Sequence, residues 1–376
     1  MKEKIAAYAS AVQGETEQII RDICAIPAPS HHEERRAEFC KQWFLNNGFS
    51  GVEIDEALNV VVPVNMKDGE PITVIMAHTD TVFPDMEQLP FSEKDGFMYS
   101  PGVTDDTANL AVMMVGARFF KENLPADAGS YLFVANSCEE GLGNLKGSRK
   151  IMEKYGAYVK EFVSLDSSSM NRIVTLAVGS HRYKVTVRTE GGHSFSSFGN
   201  RNAIHVLSNM INVLYSIKVP VEGKSKTTYN VGLISGGTSV NTIAQEAEMM
   251  YEYRSDNRIC LAKMENFFNQ VIETFRAGGI DVTVEKIGDR PCSGEIDEAK
   301  YDLLKQRIHA SMQETLGDAG FEVSSSTDCN VPLSMGIPAI CFGVCRGGKA
   351  HTREEFLETA SLSDGCRLFL DFLYRK

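Results

Sequence analysis

Short apolar runs without alternation constrain the fold of this chain more than any other feature. "ITVIMA" at 72–77 is one such run, and "YLFVAN" at 131–136 and "EFVSL" at 161–165 resemble it. A strand that is apolar on both faces must be covered on both faces, as in parallel sheets flanked by helices. Helical patterns at 108–123 and 144–155 separate these runs. The alternation predicts an α/β fold with a mostly parallel sheet flanked by helices.

The pattern changes near residue 180. "RYKVTVRTE" at 182–190 alternates polar and apolar residues, and the following segments have the order βαββαβ. That order predicts a small α+β domain of the ferredoxin-like type, inserted at 179–290. The α/β pattern then resumes and ends in a helix at 361–374. The main domain is therefore predicted to be discontinuous, comprising 1–178 and 291–376.

Composition excludes several classes of function. The chain carries 50 acidic and 38 basic residues, a formal charge of −12, and no basic stretch that would bind nucleic acid. Its nine cysteines are scattered singly, which argues against a disulfide framework or a cysteine-based zinc site. The first twenty residues form an amphipathic helical pattern without a signal-peptide core, and no apolar run reaches the roughly 20 residues that span a membrane. We expect a cytoplasmic protein with neither nucleic-acid nor membrane partners.

Polar residues follow the apolar strands at the points where the strands end. Ligands of an open parallel sheet bind beyond the carboxyl ends of its strands, so these side chains are expected to meet at one edge. A further pair of carboxylates precedes the helix at 108–123, and a histidine follows the strand "PAICFGV" after a loop. The set comprises His78, Asp80, Asp105, Asp106, Glu139, Glu140, Asp166 and His351.

Imidazole and carboxylate groups in this arrangement suit a pair of divalent metal ions. Both are ordinary zinc ligands, and one carboxylate can bridge two ions about 3.5–4 Å apart. Taken alone, a histidine at a strand end is more often structural, and Asp105 would serve equally well as a helix cap. Adjacent glutamates also occur at 33–34 and 354–355, where we expect solvated surfaces. Only the pair at 139–140 follows a core strand.

The motifs "MAHTDTV", "PGVTDD", "SCEEG" and "KAHTREE" resemble those of a known family along nearly the whole chain. It is the two-zinc aminoacylase, tripeptidase T and glutamate carboxypeptidase family, which includes succinyl-diaminopimelate desuccinylase, and the tripeptidase-T-like members are the most similar. The resemblance implies that Asp80 orients a ligand histidine and that Glu139 is the general base. It implies two Zn²⁺ ions, with Co²⁺ or Mn²⁺ possible on the same ligands. The implied metal ligands are His78, Asp105 (bridging), Glu140, Asp166 and His351.

The inserted segment resembles the lid and dimerisation domain of that family. "GGHSFSSFGNRNAI" implies that His193 reaches across a homodimer to the scissile carbonyl. "GGTSVNTIAQEAEMMYEYR" implies that Asn241 and Arg254 contact substrate. Without the resemblance, Arg254 would be interpreted as an edge-strand ion pair. "STDCNVPLSMGIPAICFG" resembles the run before the last ligand and implies that Asp328 faces the active site.

Two positions depart from the family's pattern. Thr107 stands where a lysine usually follows the bridging aspartate, and Ala244 stands where a proline is usual. Neither change removes an implied metal ligand. Both weaken the transfer of substrate specificity from the family to this chain.

The resemblance implies a hydrolase that cleaves an amide bond with a metal-bound hydroxide, while Glu139 moves the proton. An aspartate at position 166 is typical of members that act near a free amino terminus, which favours a di- or tripeptidase of the aminopeptidase type. The alternative is an N-acyl-amino-acid deacylase, acting on acetyl or succinyl substrates with the same site. A non-catalytic metal-binding homologue is disfavoured because the ligands, the base and His193 are all present.

Overall fold

A computed structural model describes residues 1–375 of the chain. They form two compact units. The first unit combines residues 1–177 with the chain from 294 onward, and the second unit spans 178–293. The sequence predicted an insert at 179–290, and the lid and dimerisation roles assigned to it stay predictions.

The helices are α1 Lys2–Ala11, α2 Gln13–Cys24, α3 Glu34–Asn46, α4 Ala108–Glu122, α5 Lys146–Tyr155, α6 Ala203–Leu214, α7 Arg258–Ala277, α8 Glu298–Leu316, α9 Asn330–Ser334 and α10 Ser361–Tyr374. A short helical turn, Val103–Thr107, directly precedes α4. The strands are β1 Glu53–Ile54, β2 Val60–Val64, β3 Ile72–His78, β4 Ser92–Lys94, β5 Phe97–Tyr99, β6 Ser130–Asn136, β7 Val159–Leu165, β8 Arg172–Ala177, β9 Gly179–Arg188, β10 Gly192–His193, β11 Thr227–Gly236, β12 Thr242–Ile243, β13 Glu246–Ser255, β14 Asp281–Arg290, β15 Phe321–Ser325, β16 Ala339–Phe342, β17 Gly347–Gly348 and β18 Phe356–Glu358.

The first unit is built on an eight-stranded sheet of order β1-β2-β6-β3-β7-β16-β8-β15. Its centre is parallel: β3 pairs with β6 and with β7, and β7 pairs with β16. Every residue of β3 and of β16 is buried, as their uninterrupted apolar sequences require. The antiparallel pairs β2–β6 and β16–β8 make the sheet mixed towards its edges. The predicted mostly parallel, helix-flanked sheet is confirmed.

Helix α4 is buried over most of its surface, which explains why its sequence is apolar on nearly every face. It packs against β3 on one side and α10 on the other. Gly116 allows the close approach to α10, because a Cβ at that position would lie 2.5 Å from Cδ1 of Phe369. This helix begins at the metal-ligand candidates around residue 105, so its packing fixes their position.

The second unit has a four-stranded antiparallel sheet of order β11-β13-β9-β14, with α6 and α7 packed against it. This order, reached through a βαββαβ sequence, is the predicted ferredoxin-like arrangement. Its core includes stacked rings of Tyr183 and Phe268, whose centroids are 4.2 Å apart. Asn202 and Asn257 cap α6 and α7 through their side chains. Strands β11 and β14 form the edges of this sheet.

The N-terminal pattern predicted as one helix forms two, α1 and α2, with a break at Val12. The break lets α1 pack against α10 while α2 packs against α4, an arrangement that depends on distant partners. No helix within residues 1–375 is long and apolar enough to cross a membrane.

Candidate metal centre

The carboxyl ends of β3, β6 and β7 bring the predicted site residues together at one edge of the sheet. His78 is the last residue of β3, Glu139 and Glu140 follow β6, and Asp166 directly follows β7. Asp105 lies between two histidines: its Oδ1 is 3.0 Å from Nε2 of His78, and its Oδ2 is 3.0 Å from Nε2 of His351. One carboxylate therefore links the histidine at the end of β3 to the histidine in the loop after β17.

Two groups of potential ligands share Asp105. His78, Asp105 and Asp166 form one group, and in each group the ligand atoms lie within 4.8 Å of one another. Asp105, Glu140 and His351 form the second group. A third combination joins His78 with Glu139 and Glu140. Two carboxylate-rich groups with a common carboxylate match the donor set that a pair of divalent ions takes.

The electrostatics of the site also fit bound cations. Burial, and then the negative charge of Asp105, raise the pKa of Glu140 to about 7. Burial raises the pKa of Asp106 well above its usual range, with Asp166 and Asp105 adding to the effect. Within the described residues, Oε1 of Glu140 is buried and accepts no hydrogen bond, although Nε2 of His351 is 3.2 Å away. Crowded carboxylates and an unsatisfied oxygen are what a divalent cation would neutralise.

The two histidines respond to the same carboxylates. The carboxylates of Asp105, 3.0 Å away, and then of Glu140, 3.2 Å away, raise the pKa of His351 to about 11. Burial opposes protonation of His78, but Asp106, Asp105 and Asp80 outweigh it and raise its pKa. The pKa of Asp105 is lowered in turn, against its burial, by hydrogen bonds with both rings. A metal ion would take the place of these protons, because it binds neutral imidazole.

Asp80 ties His78 to the two glutamates. Nδ1 of His78 lies 3.1 Å from the backbone oxygen of Asp80 and 3.4 Å from its Oδ1. The backbone N–H groups of Glu139 and Glu140 each donate to the Asp80 carboxylate at 3.0 Å, and the hydroxyl of Ser30 donates at 2.6 Å. Asp80 is fully buried, yet hydrogen bonding lowers its pKa despite that burial. It therefore acts as an ionised anchor for both functional segments.

The expectation that the other two glutamate pairs lie on solvated surfaces is wrong for one member of each. Glu33 and Glu355 are both 0% exposed. Glu33 accepts the backbone N–H of Cys138 at 2.9 Å, immediately before Glu139. Glu355 accepts the backbone N–H of Asp105 at 3.0 Å. Local sequence carries no signal for either contact, because the partners are about 100 and 250 residues away.

Asp106 and Asn109 are structural residues of the site that sequence reasoning left without a role. Asp106 accepts the backbone N–H of His78 at 2.9 Å and a hydrogen bond from Asn109 at 2.7 Å. The Asn109 amide also lies 3.0 Å from the carbonyl of Thr104 and 3.2 Å from that of Ser167, and its oxygen accepts from Val344 at 2.8 Å. Asn109 thus connects the loops after β5, β7 and β16.

The helix-cap interpretation of Asp105 does not describe the structure. Asp105 lies within the turn Val103–Thr107, the N-cap position of α4 is occupied by Thr107, and the Asp105 carboxylate contacts the two histidines instead. Thr107, which stands in place of the family's usual lysine, is 1% exposed. Its hydroxyl has no hydrogen-bond partner within the described part of the chain.

Asp328 lies close to the candidate ligands but belongs to none of the ligand groups. It is fully buried between β15 and α9, and its Oδ2 accepts a 2.6 Å hydrogen bond from the side chain of Asn136 at the end of β6. Burial, and then Asp166, raise its pKa to about 7. A protonated Asp328 would add hydrogen-bonding capacity rather than charge to this edge of the sheet.

His193 and Asn241 lie side by side in the second unit. Strand β10 pairs with β12, and the backbone N–H of Ser194 donates to the carbonyl of Asn241 at 3.0 Å. Both side chains are exposed. Ala244, where a proline is usual, is buried, and its carbonyl accepts the N–H of Ala203 at 2.9 Å.

Arg254 lies towards the opposite end of β13 from Asn241, on an inner strand rather than an edge. Its guanidinium donates two 3.0 Å hydrogen bonds to Glu252 on the same strand. A substrate carboxylate recognised by Arg254 would have to compete with Glu252 for that fork.

Other histidines and Cys138 have contacts that account for them structurally. His181 is buried, and its Nδ1 lies 2.8 Å from the hydroxyl of Tyr253. Cys138 has a histidine neighbour that the sequence did not reveal, since its Sγ is 3.4 Å from Nδ1 of His31. Burial, and then Glu33 and Asp80, nevertheless raise the pKa of the Cys138 thiol, which disfavours a nucleophilic thiolate.

Comparison with known proteins identifies the class. A family profile described as peptidase family M20/M25/M40 matches residues 74–375, and the chain belongs to that family. The fold, the family and the ligand groups together define an enzyme: a hydrolase of the metallopeptidase and amidohydrolase class, which acts on amide bonds.

Individual relatives span nearly the whole chain. Succinyl-diaminopimelate desuccinylase of Corynebacterium glutamicum is 25% identical over 355 residues, covering 93% of each sequence. A tripeptidase from Staphylococcus aureus superposes with a TM-score of 0.78 at 23% identity, covering 96% of this chain and 97% of the other. The YXEP protein of Bacillus subtilis, a dinuclear metal-binding peptidase of family M20, gives a TM-score of 0.69 at 17% identity, covering 97% and 98%.

Proposed function

We propose that the protein is a two-zinc hydrolase that cleaves the amide bond of short peptides, as a di- or tripeptidase of the aminopeptidase type. The observation that carries the two-metal proposal is Asp105, which contacts His78 and His351 through its two oxygens. The peptidase preference rests on the family resemblance, in which an aspartate at position 166 is typical of enzymes acting near a free amino terminus.

The candidate ligands divide between two ions. His78, Asp105 and Asp166 would bind one, and Asp105, Glu140 and His351 the other. When bound, such ions act as Lewis acids that lower the pKa of water and polarise a carbonyl group. Zinc suits this set of nitrogen and oxygen donors, and Co²⁺ or Mn²⁺ can occupy the same ligands.

Glu139 is the residue we assign to proton transfer. It is 5% exposed, and its backbone N–H is fixed by Asp80. A carboxylate beside a reacting water accepts its proton and later delivers it to the departing amine. Asp80 supports this step indirectly, because the same carboxylate also orients His78 and positions Glu140.

Residues of the second unit are proposed to bind substrate and stabilise charge. We assign His193 to the oxyanion that forms on the scissile carbonyl, contributed by the partner subunit of a homodimer. Asn241 and Arg254 would contact the substrate, Arg254 through a carboxylate that displaces Glu252. The cytoplasmic location expected from the sequence stays a prediction.

The homodimer is proposed to form through the second unit. Its edge strand β11 exposes Leu233 and Ile234, and the loop after His193 exposes Phe195 and Phe198. An open strand edge with apolar side chains favours pairing with a second copy of the same strand.

A substrate panel tests the proposal. Purified protein loaded with Zn²⁺, Co²⁺ or Mn²⁺ would be assayed with di- and tripeptides carrying free amino termini, with the same peptides N-acetylated, and with N-acetyl and N-succinyl amino acids. We expect turnover of the free peptides and loss of that turnover when their amino termini are blocked. Clear turnover of the acyl amino acids alone would overturn the peptidase assignment.

The second candidate, an N-acyl-amino-acid deacylase, is favoured by one observation. The relative aligned over 93% of both chains is a succinyl-diaminopimelate desuccinylase. The catalytic residues would be the same, so only the substrate pocket distinguishes the two. Absence of turnover in both arms of the panel, with cations bound, would instead support a non-catalytic homologue.

A further inference from the structure

The buried carboxylate of Glu355 lies beneath the loop that carries Asp105. We propose that Glu355 is a positioning residue of the metal centre: it fixes the backbone of the Asp105 loop so that Asp105 can serve both ligand groups. This inference rests on the proposed two-metal function. It concerns a residue outside the ligand groups, at the base of the β17–β18 hairpin.

Strand pairing brings Glu355 to this place. Strand β18 pairs with β5 in the register Phe356 to Tyr99, and the backbone N–H of Ser100 donates to the carbonyl of Glu355 at 3.2 Å. The Asp105 loop leaves β5 immediately afterwards. The side chain of Glu355 therefore points along the first residues of the loop rather than towards solvent.

The carboxylate accepts four hydrogen bonds, all from that loop. Its Oε2 accepts the backbone N–H of Gly102 at 2.8 Å. Its Oε1 accepts the backbone N–H and the hydroxyl of Thr104 at 2.8 and 2.7 Å, and the backbone N–H of Asp105 at 3.0 Å. Loop amides that converge on one point need an acceptor when they are buried, and Glu355 is that acceptor.

The backbone of the Asp105 loop adopts a conformation that a residue with a side chain could not adopt at Gly102. Gly102 has φ +76°, and a Cβ there would lie 2.6 Å from Cγ2 of Thr81. The side chain of Glu355 is fully buried, and the hydrogen bonds to its carboxylate within residues 1–375 come from Gly102, Thr104 and Asp105. The loop amides are thus the groups that stabilise this carboxylate, and the carboxylate in turn fixes the loop.

The β17–β18 hairpin contacts both the side chain and the backbone of Asp105. His351, in the loop between β17 and β18, lies 3.0 Å from the side-chain Oδ2 of Asp105. Glu355, four residues later, contacts the backbone N–H of Asp105. The segment 351–355 therefore joins one proposed ligand to the backbone support of the shared ligand, which predicts that loosening Glu355 weakens binding at both ions.

The decisive variant is Glu355→Gln, which keeps the size of the side chain but turns one acceptor into a donor facing loop N–H groups. The adjacent Glu354→Gln is the matched control, because the side chain of Glu354 is 75% exposed and lies 3.7 Å from Lys349. We would measure dissociation constants for Zn²⁺ and Co²⁺ by competition with a chromophoric chelator, and thermal unfolding of each protein in excess chelator. For Co²⁺, the visible absorption spectrum also reports the ligand geometry.

We expect Glu355→Gln to weaken cation binding roughly 10- to 100-fold, the range typical for supporting partners of metal ligands, and to alter the Co²⁺ spectrum. Glu354→Gln should match the wild type in both. Unchanged cation affinity and spectrum in a folded Glu355→Gln protein would overturn the proposal, even if its cation-free form melted earlier. That last result would identify Glu355 as a contributor to stability alone.

A second variant covers the case in which Glu355→Gln fails to fold. Thr104→Val removes only the hydroxyl that donates to Oε1 and leaves the backbone hydrogen bonds in place. A smaller loss of cation affinity in Thr104→Val supports the proposal, and wild-type affinity contradicts it. A wild-type protein that binds no divalent cation would overturn the two-metal function itself, so the two failures are distinguishable.

Discussion

At the scale of single residues, the adjacent glutamates 139 and 140 have different surroundings. Both glutamates group with His78, but among the described residues only Glu140 is also part of the ligand group that contains Asp105 and His351. Both backbone N–H groups are bound by the same Asp80 carboxylate. Because consecutive side chains point in different directions, one can bind metal while its neighbour remains available for proton transfer.

We predict that Glu139→Gln lowers kcat by roughly 10²- to 10⁴-fold, the usual contribution of a general base. Its cation affinity should stay within a few-fold of the wild type, whereas Glu140→Gln should lose affinity for one ion. Steady-state kinetics and cation titration of the two variants check this. Full activity in cation-loaded Glu139→Gln would contradict the assigned role.

The pKa values predict how the stability of the cation-free protein depends on pH. Glu140 keeps its proton in the folded state up to a pKa of about 7, whereas a glutamate in the unfolded chain loses it near 4.3. The folded state therefore binds more protons between these values, and the free energy of unfolding falls as pH rises through them. His351, with its pKa raised to about 11, acts in the same direction above its unfolded value of about 6.5.

Urea unfolding of chelator-treated protein, from about pH 5 to pH 8, measures this dependence. Glu140→Gln should show a shallower decline than the wild type, since it removes one of the titrating groups. Saturating Zn²⁺ should counteract the decline, because deprotonated ligands bind metal more tightly as pH rises. Stability of the cation-free wild type that increased with pH would contradict the raised pKa values.

At the scale of elements, the first turn of α4 joins the loops that carry the site. Asn109 contacts Thr104 and Asp106 of one loop, Ser167 of a second and Val344 of a third. Its amide offers both donors and an acceptor, which a carboxylate or a hydroxyl cannot reproduce. The helix thus positions Asp105 and Asp166 through a single buried side chain.

We predict that Asn109→Ala destabilises the cation-free protein by several kcal/mol, since each buried group left without a partner costs about 1–3 kcal/mol. Chemical denaturation would measure the change. The matched control is Asn123→Ala at the other end of α4, where the side chain of Asn123 is part-buried and bonds to Phe119 of the same helix. Equal effects from the two substitutions would show that Asn109 has no special role.

Periodicity predicted the elements well where each element's environment is uniform. The buried strand expected at 72–77 is Ile72–His78, and the helix expected at 108–123 is Ala108–Glu122. The N-terminal twenty residues were predicted less well, because the break at Val12 follows from contacts with α10 and α4. Periodicity within a segment does not report which distant helix each turn will contact.

At the scale of the whole molecule, the exposed edge strand β11 bears on the proposed dimer. Leu233 on that strand is 67% exposed. The neighbouring strand β13 is paired on both sides, with β11 and β9, whereas β11 is paired on one side only. Apolar side chains on an open edge favour association with another strand. An active site that needs His193 of a partner subunit would then depend on this association.

We predict that the wild type is a dimer in solution, with about twice the 41.5 kDa mass of one chain. Leu233→Lys should shift the equilibrium to monomer and lower activity. Leu303→Lys, on α8 of the first unit, is the control, because Leu303 is similarly exposed at 68%. Light scattering after size-exclusion chromatography, with activity measured on each fraction, checks both statements. A fully active wild-type monomer would contradict the dimer proposal.

The sequence by itself determined the fold class and which residues meet at the edge of the sheet. Uninterrupted apolar strands must be covered on both faces, as in helix-flanked parallel sheets, and the carboxyl ends of parallel strands converge, which predicts His78, the pair at 139–140 and Asp166 as neighbours. Only the tertiary structure decided which residues support them. Glu33, Glu355 and Asn109 bind backbone groups from distant segments, and no local pattern encodes such a contact, since any polar residue of suitable size would look the same in the sequence.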